Sequence, residues 1–334
     1  MADHHRRHKI PTHIIFFHIL PRLSVDSLQR CKRVCKEWDS FLETRFFVNM
    51  HIRHYLLTNG STYQPRPKFL FLNEKRFRII DCEAPCDGLK DHGHALPFEA
   101  NLRSIDIQTS LHGLVCVGGW FGKSLFQRDD YFDLVLWNPL TGQYKMLCKT
   151  HRHIQFDFSE VIALLGLYYC DDDYKLLTVS SNASVRIYSL KSDSWRWVDS
   201  TNNYQTLLDL GLGTESPPKI SSSSSIWLSG NLYFLTKSYQ RFPGSSARDC
   251  YSILKFDSKM EYFTVIPTHP SLKALDLESV RMNVQKGVIH LGAKYKISLT
   301  KAYIQLWEMI GDETWEKVYV ETLCNDDIHM NPLH

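Results

Sequence analysis

The chain has 334 residues, of which 43% are hydrophobic and 22% are charged, and its formal net charge is +3 at pH 7. These values are typical of a globular protein with one large domain, or with a small module and a large domain. Basic residues are scattered along the chain, which argues against nucleic acid as a partner because a nucleic-acid footprint needs a basic stripe on one face.

Nine cysteines are spread through the sequence without a C-x-x-C pair, so we expect no structural zinc site. Scattered cysteines fit a reducing compartment, where most of them pack as small buried hydrophobic residues. No stretch approaches the roughly 18 apolar residues that span a bilayer, and the apolar run at 14–20 is interrupted by His18. We therefore expect a protein of the cytoplasm and/or the nucleus, with no membrane partner.

Residues 1–9 predict a flexible N-terminal tail, and we interpret His4, His5 and His8 as part of this tail rather than as metal ligands. Residues 10–55 predict a helical module. Pro11 suits the first turn of a helix that extends to about Leu20, and Ser24 is a good N-cap for a second helix. Helical spacing continues to Leu42, with a break near Val34 that divides this stretch into two short helices.

The first predicted helix is apolar on nearly all sides between Ile14 and Leu20. Such a helix must be buried on more than one side, and a module of about 45 residues buries too little surface to achieve this alone. Either the C-terminal domain covers the helix or a separate partner protein does.

The module resembles the F-box. The family pattern maps without a gap onto Ile10-Pro11, Ile14-Ile15, Ile19-Leu20, Arg22-Leu23, Val25, Ser27-Leu28, Arg30, Val34-Cys35-Lys36, Trp38 and Phe41-Leu42. The chain departs from it at His18, where the family usually has Glu, and at Ser24, where it usually has Pro. The resemblance implies docking to a Skp-type adaptor, and through it to a cullin scaffold, by Ile10, Pro11, Ile14, Ile15, Ile19, Leu20, Leu23, Leu28, Val34, Cys35 and Trp38.

Beyond residue 60 the sequence changes to short alternating apolar runs, which is strand chemistry. Four segments repeat an apolar strand, a polar turn and a second aromatic residue, and a period near 50 residues is typical of kelch-like propeller blades. Glycines at 113, 230 and 287 predict turns before apolar strands. The aromatic pairs, which we expect to stack across strands or on a neighbouring sheet, are Trp137 and Tyr144, Tyr188 and Trp195, Phe256 and Phe263, and Trp307 and Trp315.

This second region resembles the F-box-associated domain of plant F-box proteins, in the motifs at Ser110 to Cys116, Leu136 to Thr141, Asp172 to Leu176 and Tyr188 to Trp195. The resemblance implies a mainly β protein in which a three-helix F-box precedes a kelch-like β-propeller domain. We place that substrate-binding domain at residues 65–320 and a C-terminal tail at 321–334.

No catalytic or metal-binding pattern is convincing, and we expect no cofactor. Asp171 to Asp173 could bind calcium, but a solvated hairpin turn is the better interpretation because no further ligand spacing follows. If the fold is a propeller, binding should use loops at one face, and aromatic and arginine residues are the usual anchors. The candidate substrate-binding residues are Trp120, Phe121, Tyr239, Arg241 and Phe242, for which packing within the loops is the alternative.

Together these features predict a non-catalytic substrate-recognition subunit of an SCF-type E3 ubiquitin ligase, with a protein substrate that the sequence does not identify. The alternative is a binding module that works without the ligase, as a scaffold or a glycan-binding propeller. A propeller hydrolase is a third possibility, which would need clustered inward carboxylates.

Overall fold

The computed structural model describes residues 10–58, 68–73, 76–81, 105–121, 131–139, 141–147, 162–199, 203–210, 225–240, 248–273, 277–285, 287–298, 301–311 and 314–324. The chain divides into two compact units, Met1–His94 and Ala95–His334. Within the described ranges, no helix combines the length and the apolar character needed to cross a membrane. The predicted tail at residues 1–9 lies outside them.

Residues 10–58, called here the helical unit, contain four helical segments. The first is composite, because α1 continues into a π-helical turn and then a 3₁₀ turn. The bounds are α1 Thr12–Ile14, π turn Ile15–Ile19, 3₁₀ turn Leu20–Arg22, α2 Val25–Cys31, α3 Lys36–Glu43 and α4 Arg45–Thr58.

The predicted helix start at Ser24 is confirmed, because its hydroxyl accepts the N–H of Ser27 at 3.4 Å. The predicted break near Val34 is confirmed as well, since it falls between α2 and α3. The three-helix count is wrong. A fourth helix follows at once because Thr44 accepts the N–H of Phe47 at 3.2 Å and supplies the missing N-terminal partner.

The core of the helical unit is small. Its fully buried cluster consists of Leu20, Leu28, Leu42 and Phe47. Aromatic rings extend this core outward: Phe16 stacks on Phe41 with ring centroids 4.3 Å apart. Four buried side chains cannot cover the apolar surface that four amphipathic helices present.

The β region consists of antiparallel strands that pair in sequence order. A hairpin, β1 (Lys68–Asn73) and β2 (Arg76–Asp81), comes first. Four four-stranded sheets follow, called here sheets I to IV. Sheet I consists of β3 Ile105–Leu111, β4 Leu114–Phe121, β5 Tyr131–Trp137 and β6 Tyr144–Met146, and sheet II of β7 Ile162–Cys170, β8 Asp173–Ser180, β9 Val185–Ser189 and β10 Ser194–Trp197. Sheet III consists of β11 Ser225–Leu228, β12 Asn231–Gln240, β13 Arg248–Asp257 and β14 Tyr262–Pro267, and sheet IV of β15 Leu277–Gln285, β16 Val288–Lys296, β17 Lys301–Ile310 and β18 Thr314–Cys324.

The first hairpin of each sheet closes with a two-residue turn. Register pairs Leu111 with Leu114, Cys170 with Asp173, Leu228 with Asn231 and Gln285 with Val288. Turns this short need positive φ, which glycine and aspartate supply more readily than other residues. Among the described residues of these four turns, φ is positive at His112, Gly113, Asp171, Asp172, Ser229, Gly230 and Gly287. The glycine turns and the hairpin turn at Asp171 and Asp172 are thus confirmed, whereas Asp173 is a buried residue of β8 and not part of a solvated turn.

The repeated aromatic pairs lie in the last hairpin of each sheet. Three pairs are directly opposed: Trp137 and Tyr144, Tyr188 and Trp195, and Phe256 and Phe263. The fourth pair is not opposed, because the β17–β18 hairpin closes at Ile310 and Thr314 and pairs Trp315 with Met309. It follows the other expected arrangement, contact with the neighbouring sheet, since Trp315 Nε1 donates to the carbonyl of Pro267 in β14 at 2.9 Å. Trp307 instead stacks on His269 with ring centroids 3.8 Å apart.

Successive sheets pack face to face through continuous apolar cores. One core joins sheets I and II, a second joins II and III, and a third joins III and IV. Gly166 in β7 permits the second contact, since a Cβ there would meet a ring carbon of Phe234 at 2.9 Å. Helix α5 (Tyr204–Asp209) follows sheet II and adds Leu207 to the same core.

The observed fold is mainly β, with a short helical N-terminal region and four sequential four-stranded sheets that are consistent with a β-propeller-like domain. Strand β18 continues to Cys324, so the tail predicted from residue 321 starts later than expected.

Candidate functional site

The helical unit exposes large apolar side chains around its first helix. Val34 is 62% exposed and Ile10 is 57% exposed, and Ile14 and Ile19 are each 37% exposed. Pro11 and Cys35 are also exposed. These six predicted adaptor-binding residues are therefore exposed, four at the first helical segment and two in the connection between α2 and α3. Together they are called here the apolar face: Ile10, Pro11, Ile14, Ile19, Val34 and Cys35.

The other predicted adaptor-binding residues face inward to different degrees. Leu20 is 1% exposed and Leu28 is 8% exposed, and both belong to the core of the helical unit. Three more, Ile15, Leu23 and Trp38, are partly buried against that core. The structure therefore corrects the prediction for Leu20 and Leu28: they hold the helices together, because a side chain enclosed by its own unit cannot also contact a partner.

The π turn determines how the first helix presents its apolar residues. Ile14 and Ile19 are five residues apart, the interval that returns to one side of a helix through a π turn. The turn also leaves His18 exposed beside Ile19. The sequence contains no signal for this turn, because the apolar run at 14–20 fits an ordinary α-helix equally well.

Contacts at the short turns define one end of sheets I to III. The Nδ1 atom of His112 lies 3.3 Å from the hydroxyl oxygen of Tyr174, which joins the first turns of sheets I and II. The hydroxyl of Ser258, beside the first turn of sheet III, hydrogen-bonds the thiol of Cys170. Since neighbouring strands run antiparallel, the ends of β4 and β12 lie at the opposite end, which we call the open end.

The predicted substrate-binding residues belong to this open end as far as the structure describes them. Trp120 and Phe121 are the last residues of β4, and Tyr239 is next to last in β12, so all three lie in strands and not in the predicted loops. Arg241 and Phe242 follow β12 directly and lie outside the described residues. The substrate-binding role of all five stays a prediction.

Trp197 is an exposed aromatic residue that is not among the predicted substrate-binding residues. Its side chain is 59% exposed at the outer edge of sheet II, and the guanidinium of Arg186 lies 3.8 Å from its ring centroid. Its partner in register is Arg186, which is 7% exposed. The sequence contained no signal for this exposure, because Trp195 and Trp197 are two apart and lie on the same face of β10.

The described residues offer little for acid–base or metal chemistry. Burial lowers the pKa of His112 to about 4, so its imidazole is neutral at pH 7, and its neighbours are the rings of Tyr169 and Tyr174. Within the described ranges, no group of three or more His, Cys, Asp or Glu side chains is placed to hold a metal ion.

Comparison with known proteins matches residues 125–332 to the family described as F-box associated beta propeller domain. The chain belongs to this family of plant F-box proteins. Relatives from Arabidopsis thaliana include a putative F-box protein, 25% identical over 76% of this chain and 62% of its own length, and putative F-box only protein 15, 23% identical over 76% of this chain and 58% of its own length. An F-box/kelch-repeat protein is 23% identical over 75% of this chain and 63% of its own length.

This F-box protein therefore spans about three-fifths of the length of the curated relatives it matches. Among solved structures, an exo-1,5-alpha-L-arabinanase from a bovine ruminal metagenomic library is 11% identical, with a TM-score of 0.38 over 77% of this chain and 100% of that one. An endo-arabinase from Bacteroides thetaiotaomicron is 12% identical, with a TM-score of 0.35 over 76% of this chain and 98% of that one. Likeness this distant carries no information about activity.

Proposed function

We propose that this protein is a non-catalytic substrate-recognition subunit of an SCF-type E3 ubiquitin ligase. The helical unit docks onto a Skp-type adaptor, and through it onto a cullin scaffold, while the β region holds a protein substrate. The observation that carries the proposal is the apolar face, which stays exposed outside the small core of the helical unit. Exposed apolar surface of this kind marks protein–protein contacts.

In this role the protein acts through proximity. One region binds the adaptor and another binds the substrate, so the ligase's transferring subunit meets the substrate at a high effective concentration. The chemistry of ubiquitin transfer belongs to other subunits. This division requires two separate surfaces, which the apolar face and the open end of the β region provide.

The adaptor claim is tested by the binding of the full chain to a recombinant plant Skp-type adaptor. The triple variant Ile14→Ala, Ile19→Ala, Val34→Ala removes exposed side chains only, so the helical core remains. We expect at least about a tenfold loss of affinity, since anchor residues at interfaces each contribute about 1 kcal/mol or more. Val265→Ala with Val320→Ala, which removes exposed side chains of the β region, is the matched control. Unchanged binding of the triple variant would contradict the proposal.

For the substrate we propose the open end, where the strand ends that carry Trp120, Phe121 and Tyr239 lie. The test is affinity purification with the proteasome blocked, followed by mass spectrometry. The variant Trp120→Ala, Tyr239→Ala should lose the proteins that accumulate on the wild type, while Trp197→Ala keeps them. The reverse outcome would move the substrate site to the outer edge of sheet II. Substrate capture without adaptor binding would favour a module that works without the ligase.

We also propose a location in the cytoplasm and/or the nucleus. Cys116 and Cys170 are free thiols that are buried among apolar side chains, as expected of cysteines that pack as hydrophobic residues in a reducing compartment. Cell fractionation of a tagged chain tests this, and recovery from the secretory pathway would contradict it.

A further inference from the structure

Sheet IV has an exposed face on the side away from sheet III. Leu291 and Trp307 belong to the core that joins sheets III and IV, so the side chains that alternate with them lie on the opposite face, called here the distal face. On the distal face Tyr319 is 50% exposed, and Arg281 is exposed as well. The outward face of sheet I is closed by contrast. Its side chains that are at most 5% exposed are Val115, Val117, Val135 and Trp137.

A row of four residues crosses the distal face from strand to strand. Register pairs Arg281 with Gly292, Gly292 with Leu306, and Leu306 with Tyr319. Paired residues of antiparallel strands point to the same face, so these four are neighbours there. Gly292 leaves a hollow in the row, since a Cβ at this position would meet nothing within 4 Å. The partly exposed side chain of Leu306 lies directly beside the hollow.

Charge is divided across the distal face. Strands β15 and β16 contribute basic side chains to it, and strands β17 and β18 contribute carboxylates. The basic residues are Arg281, Lys294 and Lys296, and the acidic ones are Glu308, Glu316 and Glu321. Glu278 pairs with Lys294 at 3.0 Å, whereas Arg281 has no ion pair among the described residues. The charge of Arg281 is therefore available to a partner.

These features are complementary to a second copy of the same face. A two-fold axis parallel to the strands places β15 over β18 of the second copy, and β16 over its β17. In the central row, Leu306 of each copy then enters the hollow at Gly292 of the other, and Arg281 meets the ring of Tyr319. Each contact occurs twice, because a two-fold interface is isologous.

The charges favour the same arrangement. Glu316 and Glu321 lie one row to either side of Tyr319 on β18, so Arg281 of the second copy falls between two carboxylates. A two-fold axis in the plane of the sheet but perpendicular to the strands would place β15 over β15, with basic residues facing each other. Like charges brought together at an interface are unfavourable, so the axis parallel to the strands is selected.

The size of the distal face suits a reversible dimer. Its strands have 9 to 11 residues. At about 3.3 Å per residue and about 4.8 Å between strands, the sheet covers roughly 500 Å² in each copy. Both copies together bury roughly 1,000 Å², the lower end for a specific interface, so we expect a dissociation constant in the micromolar range.

We propose that the distal face of sheet IV is a self-association surface, on which a second copy of the chain docks face to face about a two-fold axis parallel to the strands. The inference goes beyond the proposed function and does not depend on adaptor binding. A dimer carries two β regions, so a substrate with two recognised segments is held more tightly than by one copy.

Sedimentation velocity of the full chain tests the proposal. Between about 1 µM and about 100 µM, the mass of the wild type should rise from that of one chain toward that of two. Gly292→Arg fills the hollow with a bulky cation, and it should stay monomeric over the same range. Its fold should be preserved, because the added Cβ meets nothing within 4 Å. Circular dichroism and the urea midpoint, measured at about 1 µM where dimers are dissociated, check this.

A charge exchange tests the arrangement of the two copies. Arg281→Glu and the double variant Glu316→Lys, Glu321→Lys should each raise the dissociation constant at least about tenfold, since each places like charges together twice. Mixed in equal amounts, the two variants should form a heterodimer that restores the mass of two chains, because every reversed charge then meets its opposite. All three substituted side chains are exposed.

The matched control changes a charge on the other face of the same sheet. Lys301 alternates with Tyr303 in β17, and Tyr303 packs on the core between sheets III and IV, so Lys301 does not lie on the distal face. Lys301→Glu should therefore dimerise like the wild type. Adaptor affinity should be the same in the wild type and in Gly292→Arg.

The other outcomes contradict the inference while leaving the adaptor role untouched. A wild-type chain that is monomeric at all these concentrations overturns it, and so does a dimer that persists in Gly292→Arg and in Arg281→Glu. A dimer that is lost only when Ile14, Ile19 and Val34 are changed to alanine belongs to the helical unit. A different protein that binds the monomeric wild type, but not Gly292→Arg, would be the true occupant of the distal face.

Discussion

The helical unit and the β region use their apolar residues in opposite ways. In the helical unit, more large apolar side chains are exposed than buried, and the fully buried cluster has four members. In the β region the buried set far exceeds the exposed one, and three continuous cores join successive sheets. A region that completes its own interior can bind through a few surface residues, whereas a region with surplus apolar surface depends on what covers it.

The largest expected effect compares one truncation in each core. Leu20→Ala in the helical unit and Leu177→Ala in β8 remove the same atoms from positions that are 1% and 0% exposed. Each should cost about 2–5 kcal/mol. We expect Leu20→Ala to unfold the helical unit, whose core is too small to absorb this loss, while the β region of Leu177→Ala stays folded with a lower urea midpoint.

Hydrogen exchange measured by mass spectrometry resolves the two regions in one experiment. Ile19→Ala is the control, since the side chain of Ile19 is 37% exposed and its truncation should leave the helical amides protected. If Leu20→Ala left the helical amides protected, the helical unit would have reserves of stability that its small core does not suggest.

The second prediction concerns acid. Burial lowers the pKa of His112 to about 4 in the folded state, against about 6.5 in an unfolded chain. A lowered histidine pKa means that stability is fully present above pH 6.5 and is lost as the pH falls from 6.5 toward 4. The loss attributable to His112 is about 3 kcal/mol by pH 4.

His112→Asn tests this, because asparagine tolerates the positive φ of this turn. The free energy of unfolding of the β region, followed from pH 8 to pH 4, should fall less steeply in the variant than in the wild type. Identical pH profiles would show that protonation of His112 does not lower the free energy of unfolding and that its surroundings are open to water.

A smaller effect tests how tightly sheets II and III pack. Gly166→Ala places a methyl group 2.9 Å from a ring carbon of Phe234 and 3.0 Å from Leu232, so the sheets must separate slightly. Overpacking of this kind costs about 1–3 kcal/mol, which urea unfolding of the β region should reveal. Gly292→Ala in β16 is the matched control, since its added methyl group meets nothing within 4 Å. Equal midpoints for the two variants would indicate that the second core is loosely packed.

The smallest effect is the coupling between aromatic partners. Phe256 and Phe263 are directly opposed with ring centroids 4.8 Å apart, so a double-mutant cycle to leucine should give a coupling energy of about 0.5–1.5 kcal/mol. The same cycle on Trp307 and Trp315 should give a value near zero, because Trp307 lies opposite Lys317 and Trp315 lies opposite Met309. A clear coupling in the second cycle would mean that the two tryptophans interact although they are not opposed.

Local features were predictable because they depend on neighbours in the chain. The cap at Ser24, the break near Val34 and the turns at Gly113, Gly230 and Gly287 each follow from the chemistry of a few adjacent residues. The aromatic spacing of seven also sufficed, since a fixed turn length places the two ring-bearing residues opposite each other. At Trp307 the spacing is eight, and the β17–β18 hairpin closes at Ile310 and Thr314, so the second tryptophan lies opposite Met309.

Tertiary structure decided which side of each element faces inward. The sequence by itself determined a helical module, a series of β-hairpins and a surplus of apolar residues between Ile14 and Leu20, because composition and spacing are properties of the chain. Only packing decided that Leu20 and Leu28 belong to the core while Ile14, Ile19 and Val34 stay outside. The physical reason is that burial depends on which distant helices close over a side chain, and adjacent apolar residues on an all-apolar helix give no sign of which will be enclosed.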